Sequence, residues 1–482
     1  MWRCACWGLL LCACTACTRP NPAAVCDARA CSDPAFPFCD IDGVIGGEPG
    51  HCLAVQCTPD TFAACDGDAA LVCNATGDSY ETQECGGGCD AQAGCLPFCT
   101  PGAALSCSNA ELVTCNPEGT DTVTESCALG CAAAENRCLS FQPSNGLGPV
   151  LADSASKPAV ILPAGTRIDT DLELVQDANG TDISVTSSVV PQAGGPAIFV
   201  LQASSFDVDD TVVTGSRAFA LVAHGHISVV GRLSLRATGR VPGPGAQEPP
   251  AACAAASTSQ YQAIGGIANM GAAGAANHER GGHGGSTFDY GGSVQSTFSP
   301  LAGGCRGGAI LDMMGATTIA RGGGGGGAIQ LVSGGQIVLS DQDLIDLGAG
   351  GGESSAGGGS GGTLVFEAPQ VSMTGASAGV TANGGAGGGC DGGIGADALA
   401  STAKALGPAC SYFYGGNGGT GAELPGNGCT VQVDCAMGDP APRYGGGGGS
   451  VGRMRVATMP GGFSRVTPVL SVHITTATLA IE

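Results

Sequence analysis

Residues 197–231 read AIFVLQASSFDVDDTVVTGSRAFALVAHGHISVVG, and this stretch decides the fold. Ala197-Ile198-Phe199-Val200-Leu201 leads to Phe206-Asp207-Val208. At an interval of 21 residues, Ala218-Phe219-Ala220-Leu221-Val222 leads to Ile227-Ser228-Val229. Short apolar runs bounded by Gly, Ser and Asp are the signal of buried strands. The pattern returns after interruptions: Gly326 to Leu331 leads to Ile337-Val338-Leu339, Gly362 to Phe366 leads to Val371-Ser372-Met373, and Gly452 to Val456 opens a fifth copy. Short strands recurring every twenty or so residues predict a parallel β-solenoid, an all-β fold whose inward Val, Ile, Leu and Phe stack from one circuit to the next. A β-sandwich is the alternative, but it calls for antiparallel hairpins and stronger two-residue turn signals. Glycine and β-branched residues both oppose a helix of any substance.

Between the strand copies lie Gly-rich stretches, roughly 240–325, 348–361 and 384–448, which account for much of the chain's 85 glycines. Without a strict three-residue period they exclude collagen. They are expected to be long loop excursions on one face, too poor in apolar residues for a core of their own. Cys253, Cys305, Cys390, Cys410, Cys429 and Cys435 fall within them. Their even number fits crosslinks that pin the loops.

Upstream of a Ser/Pro/Gly/Asn linker from Ser140 to Gly148, the texture changes to cysteine. Cys57, Cys65, Cys73, Cys85, Cys89 and Cys95 are followed at a 42-residue period by Cys99, Cys107, Cys115, Cys127, Cys131 and Cys138. Leu71-Val72-Cys73-Asn74 matches Val113-Thr114-Cys115-Asn116, so residues 57–98 and 99–140 are two copies of one module. About forty residues bury too little to fold unaided, and three disulfides per copy supply the missing stability. Six cysteines allow fifteen pairings, and the spacing does not choose among them. Cys26, Cys31, Cys39 and Cys52 form a smaller divergent unit within residues 17–56. Zinc is disfavoured, because no CxxC pair occurs there and His51 is the segment's one histidine. A rigid stalk is the plain reading of these modules.

Met1-Trp2-Arg3 followed by the apolar run Cys4 to Ala13 reads as a cleaved signal, residues 1–16, because the run is too short to span a bilayer. Leu11-Cys12-Ala13-Cys14-Thr15-Ala16-Cys17 resembles a lipobox. Cys14 is the better local match. Acylation at Cys17, however, leaves 22 downstream cysteines, an even set that can pair completely. Cys17 is therefore the expected lipid site, with Cys14 as the alternative. Thr18 lacks the Asp of an inner-membrane retention signal, which favours the outer membrane or cell surface. Twenty-seven cysteines fit an oxidising compartment, and a net charge of −23 argues against nucleic acid as a partner.

The Gly-Gly-Ala-Ile-x-Leu-Val pattern, the Gly-rich runs and Tyr444 to Val456 (YGGGGGSVGRMRV) together resemble Gly-rich β-helix surface lipoproteins with Cys-rich repeats, of the kind found in myxobacteria. The resemblance covers nearly the whole chain. It implies for residues 141–482 a right-handed parallel β-helix, similar to the pectin-lyase fold, and carries no catalytic residues.

For chemistry, Asp207 and Asp209 are expected to project from one strand face about 7 Å apart, with Asp210 adjacent. Paired carboxylates suit polysaccharide cleavage, although outward acids on a strand edge are ordinarily solvated. His224 and His226 read as exposed turn residues. His278-Glu279 with His283 has one residue too many for a zinc-protease helix, in a glycine context that precludes one. Gly392 to Leu399 fits a single calcium nonapeptide around Asp397, which suggests Ca2+ there only if copies stack. The composite expectation is a lipid-anchored surface protein with a structural, adhesion or binding role and no cofactor. Its expected partners are the membrane, extracellular polysaccharide or envelope components. The alternative is a polysaccharide lyase or glycoside hydrolase.

Overall fold

The structure is a computed structural model. It describes the chain apart from residues 1–25, 27–30, 32, 34–35, 42, 44–48, 55, 247–252, 254–258, 261, 265–266, 270, 285–290, 292–293, 313–316, 390–391, 409–413, 429–444 and 467. Two compact units meet at Cys138/Leu139, close to the boundary expected from the sequence.

In the first unit each Cys-rich repeat is a three-stranded antiparallel meander followed by a two-residue hairpin. The first repeat uses Phe62–Asp66, Ala69–Cys73 and Tyr80–Glu84, and the second uses Ala104–Ser108, Glu111–Cys115 and Thr122–Ser126. The structure picks one of the fifteen pairings and uses it twice. Cys57–Cys73, Cys65–Cys89 and Cys85–Cys95 correspond to Cys99–Cys115, Cys107–Cys131 and Cys127–Cys138. Upstream, Cys26 pairs with Cys39 and Cys31 with Cys52. Among the described residues the buried apolar groups of this unit are cysteines, with only Ala69, Ala70 and Leu129 besides. Sulfur has taken the place of an aliphatic core.

The second unit is built on three long sheets with mainly parallel pairing. The first sheet holds Val160–Leu162, Phe206–Val208, Ile227–Val229, Gln336–Leu339, Gln370–Thr374 and Phe463–Val466. The second holds Thr166–Asp169, Thr211–Thr214, Arg232–Ser234, Leu344–Asp346, Gly379–Thr381 and Val469–Ser471. The third holds Ile198–Ala203, Ala218–Ala223, Ala328–Ser333, Thr363–Glu367, Arg453–Thr458 and His473–Thr478. The chain visits third, first and second sheets in fixed rotation. Antiparallel strands Leu174–Gln176 and Thr186–Val190 close the starting edges of the second and third sheets. Inward side chains such as Phe199, Phe219, Leu331, Phe366 and Val456 form one continuous buried cluster with Phe206, Ile227 and Val371 of the first sheet and Val213, Leu233 and Ile345 of the second.

The middle strands of the third sheet, from Ile198–Ala203 to Thr363–Glu367, are buried on both faces, which is why they read as mainly apolar runs. Its outward polar groups are met by the segment entering the unit. Ser144 N–H donates to Glu367 Oε2 at 2.9 Å, Asn145 Nδ2 to Gln330 Oε1 at 2.8 Å, and Gln202 Nε2 to Asp153 Oδ2 at 2.9 Å. The seven-residue helix Gly148–Ser154 lies in that segment.

The Gly-rich stretches are not coreless loops. Most of their described residues are buried, and their backbones bond to one another. Along 357–362, Gly357 and Ser360 donate to Gly308 and Cys305, Gly358 and Gly361 to Gly447 and Ser450, and Gly359 and Gly362 to Gly350 and Leu347. The same neighbour recurs every third residue. That is the period of the polyproline-II helix, which has three residues per turn and no internal hydrogen bonds. The carbonyls of this segment accept in turn from Gly323, Ala275, Gly385 and Gly326, so one extended strand is bonded to six others. Glycine is demanded by proximity rather than by unusual φ. A Cβ at Gly358 would overlap the carbonyl oxygen of Gly385, and one at Gly447 that of Gly282. The sequence expectation fails because it counted only side chains as core. Here the packed groups are peptide units, each satisfied by another. Small polar residues tie the array. Ser360 Oγ accepts from Cys305 N–H at 2.8 Å, and Ser450 Oγ from Asn277 N–H at 2.7 Å.

Candidate functional site

The site arises where the described residues of the glycine array leave the second sheet uncovered. Across that sheet's outer face the register sets Arg167, Val212, Ser234, Asp346, Thr381 and Ser471 side by side. From Ser234 onward these residues are buried, whereas Val212 is 49% exposed. At the step lies a groove of about 1020 Å3. Its floor is the strand Thr211–Thr214. Arg232, Arg236, Thr238 and the exposed Val241 line it, as do Asp171, Asp210 and Ser216.

Alternation along Arg232-Leu233-Ser234-Leu235-Arg236 buries both leucines and puts the two arginines on the outer face. Asp346, whose side chain is fully buried, anchors them. It pairs with Arg232 and lies 3.6 Å from Arg236. Asp346 also accepts from Gly348 N–H at 3.1 Å and Thr381 Oγ1 at 3.3 Å, so its charge is well met. Arg236 reaches past it to the Ala398 carbonyl at 2.6 Å. Asp171 is held by Ser216, through the backbone N–H at 2.9 Å and Oγ at 2.6 Å. The result is a pre-set groove of two guanidiniums, several hydroxyls and aliphatic patches, with no aromatic side chain among the described residues that line it.

Asp207, Asp209 and Asp210 are not gathered on one strand face. Asp207 points outward from the first sheet, half-exposed, with Oδ1 3.7 Å from His226 Nε2. Asp209 lies beyond the end of Phe206–Val208, because the strand stops there and the chain turns. Its carboxylate accepts the Asp210 N–H at 2.7 Å. Only Asp210 lines the groove, and it accepts the Arg232 N–H at 2.8 Å. The structure adds a residue that no local motif marks. Asp343, buried near Asp209 and Asp341, has its carboxyl pushed above the usual range by burial and then by those two charges, against a Ser340 N–H bond that lowers it.

The remaining sequence candidates take structural places. His224 sits at the exposed corner between Ala218–Ala223 and Ile227–Val229. His278, Glu279 and His283 lie in the glycine array, outside any helix. Asp397 accepts the N–H groups of Gly239 and Gly351, each at 2.9 Å, and so ties two array segments. Cys253 pairs with Cys305 across the first Gly-rich stretch. Cys14, Cys17, Cys390, Cys410, Cys429 and Cys435 lie outside the described residues. The sulfur clusters Cys26/Cys31/Cys52 and Cys107/Cys127/Cys131 are crossings of disulfides. Sequence reading missed Arg232, Arg236 and Asp346, although the Arg-Leu-Ser-Leu-Arg alternation was there to be seen.

No family model, curated protein or solved structure matches the chain. Among the described residues no helix is long and apolar enough to cross a membrane. The disulfides fit an extracytoplasmic setting.

Proposed function

We propose that this chain is a lipid-anchored cell-surface binding protein. Cys17 carries the lipid, the two Cys-rich repeats form a disulfide-stapled stalk, and the three sheets close into a right-handed parallel β-helix. The cyclic order in which the chain visits the sheets supports that closure. The head binds extracellular polysaccharide along the groove at the edge of the glycine array. The observation that carries this reading is the groove itself, an open shelf about 1020 Å3 in volume with fixed guanidiniums and hydroxyls along a strand. Such a surface suits an extended polyhydroxylated chain. Dispersal of Asp207, Asp209 and Asp210 over a sheet face, a corner and the groove favours binding over cleavage.

The test is a binding screen of the signal-free chain against neutral and carboxylated polysaccharides, run with Val212→Asp beside it. Binding by the wild type that drops at least tenfold in Val212→Asp supports the groove. Equal binding by both overturns it, and released reducing ends lost in Asp210→Asn would replace it with an enzyme. Metabolic labelling with a fatty acid should survive Cys14→Ala and vanish in Cys17→Ala.

A further inference from the structure

Among the described residues the H-E-x-x-x-H stretch joins no cluster of metal-ligating groups, yet it places one histidine unusually. The ring of His278, from the glycine array, lies on that of His473 with centroids 3.3 Å apart and planes 8° from parallel. His473 is the first residue of the third sheet's last strand, His473–Thr478, and pairs in register with Arg453. Arg453 is 2% exposed and, among the described residues, has no carboxylate partner. Its guanidinium donates to Gln295 O at 2.9 Å and Oε1 at 3.1 Å, and lies 4.7 Å from the centre of the Phe298 ring. Three nitrogen-rich side chains therefore meet where the last strand docks on the array. A pocket of about 140 Å3 opens beside them, lined by both histidines, Glu279, Thr420 and Glu423.

Face-to-face imidazoles at this separation pack well only while the pair carries little charge. Stacking puts two like charges closer than 4 Å if both are protonated, and Arg453 adds a third that cannot leave. Against this stand two carboxylates. Glu279 follows His278 in the chain. Glu423 is shared with Lys404, whose Nζ is 2.9 Å from it. These favour one imidazolium at most. The second proton is the one that the geometry rejects.

We propose that His278 and His473 form a pH-sensitive latch: neutral, the stack clamps the strand His473–Thr478 to the glycine array, and double protonation in mild acid releases it. The direction is consistent with the setting of His278, whose ring is held below the ordinary histidine range by burial, then by the charges of His473 and Arg453. For a histidine held low in the fold, the unfolded chain binds the proton more readily. The clamp is thus at full strength above about pH 6.5 and weakens as pH falls below it. The inference is independent of the groove and of what the groove binds.

Hydrogen exchange of the full chain, read by mass spectrometry at pH 7.5 and 5.0 and corrected for intrinsic rates, tests it. In the wild type, peptides covering 473–478 and 445–452 should lose protection at least tenfold at pH 5.0, while those covering 198–203 stay protected. In His278→Phe, which stacks but does not titrate, the loss should shrink severalfold. Unchanged wild-type protection at pH 5.0, or an undiminished loss in His278→Phe, overturns the latch. Should that variant fold poorly at pH 7.5, histidine carbon shifts in the wild type decide. Two independent titrations near the ordinary value also overturn it, and one suppressed, coupled titration upholds it.

Discussion

A β-carbon is the smallest change a glycine can undergo, and the array is built so that it cannot be absorbed. At Gly358 the added carbon meets the backbone carbonyl of Gly385, and neither partner can rotate away. Gly358→Ala should therefore destabilise the second unit by about 3 kcal/mol, the upper end of the range for overpacking, because the clash is with rigid backbone. Gly392 is a control, because space around it is open and only its φ of +82° favours glycine. Gly392→Ala should cost about 1 kcal/mol. Thermal or denaturant melts of the two variants check the contrast, and equal losses would mean that conformational freedom, not close approach, explains the glycines. The array was illegible in the sequence for this same reason. Ala356, Ser360 and Ser450 stand among the glycines, so the period of three shows in the hydrogen bonds but not in the letters.

Strands were legible in proportion to how many of their faces touch apolar neighbours. The middle strands of the third sheet are buried on both sides and announce themselves, whereas its exposed last strand, His473–Thr478, does not. Phe206-Asp207-Val208 of the first sheet shows plain alternation. The second sheet escaped notice because Arg232–Ser234 and Leu344–Asp346 are three residues long and carry Arg, Ser and Asp on a face that the array or the groove covers. The groove was hidden with them, since Asp346 joins Arg232 only through pairing between distant segments. Burial grades the cost of truncating a side chain here. Phe366 is fully buried in the continuous core, and Phe366→Ala should cost about 3–5 kcal/mol. Val212, half-exposed on the groove floor, should tolerate Ala within about 0.5 kcal/mol. Melting midpoints of the two single variants test this, and a large loss at Val212 would show that the groove floor is part of the packed core.

At the scale of the molecule, the two units draw stability from different chemistry, and a reductant should separate them. Residues 57–138 bury almost nothing but sulfur, and each repeat rests on three disulfides that close short loops. By the chain-entropy estimate each such loop contributes roughly 3 kcal/mol, which is most of what a module this small can have. The second unit instead holds a continuous cluster running from Val160 to Val472 along the three sheets, with peptide groups of the array satisfied beside it. Among its described residues the one disulfide, Cys253–Cys305, ties a single Gly-rich stretch to itself. Under a strong thiol at neutral pH, amide exchange should therefore become fast across 57–138 and remain slow at Ile198–Ala203, Ala328–Ser333 and Thr363–Glu367. Protection should fall locally around 253–305, while the strands of the three sheets keep theirs. Simultaneous loss in both units would mean that the crosslinks support the sheets as well. Persistence in the repeats would mean that their meanders stand without sulfur, contrary to how little else they bury.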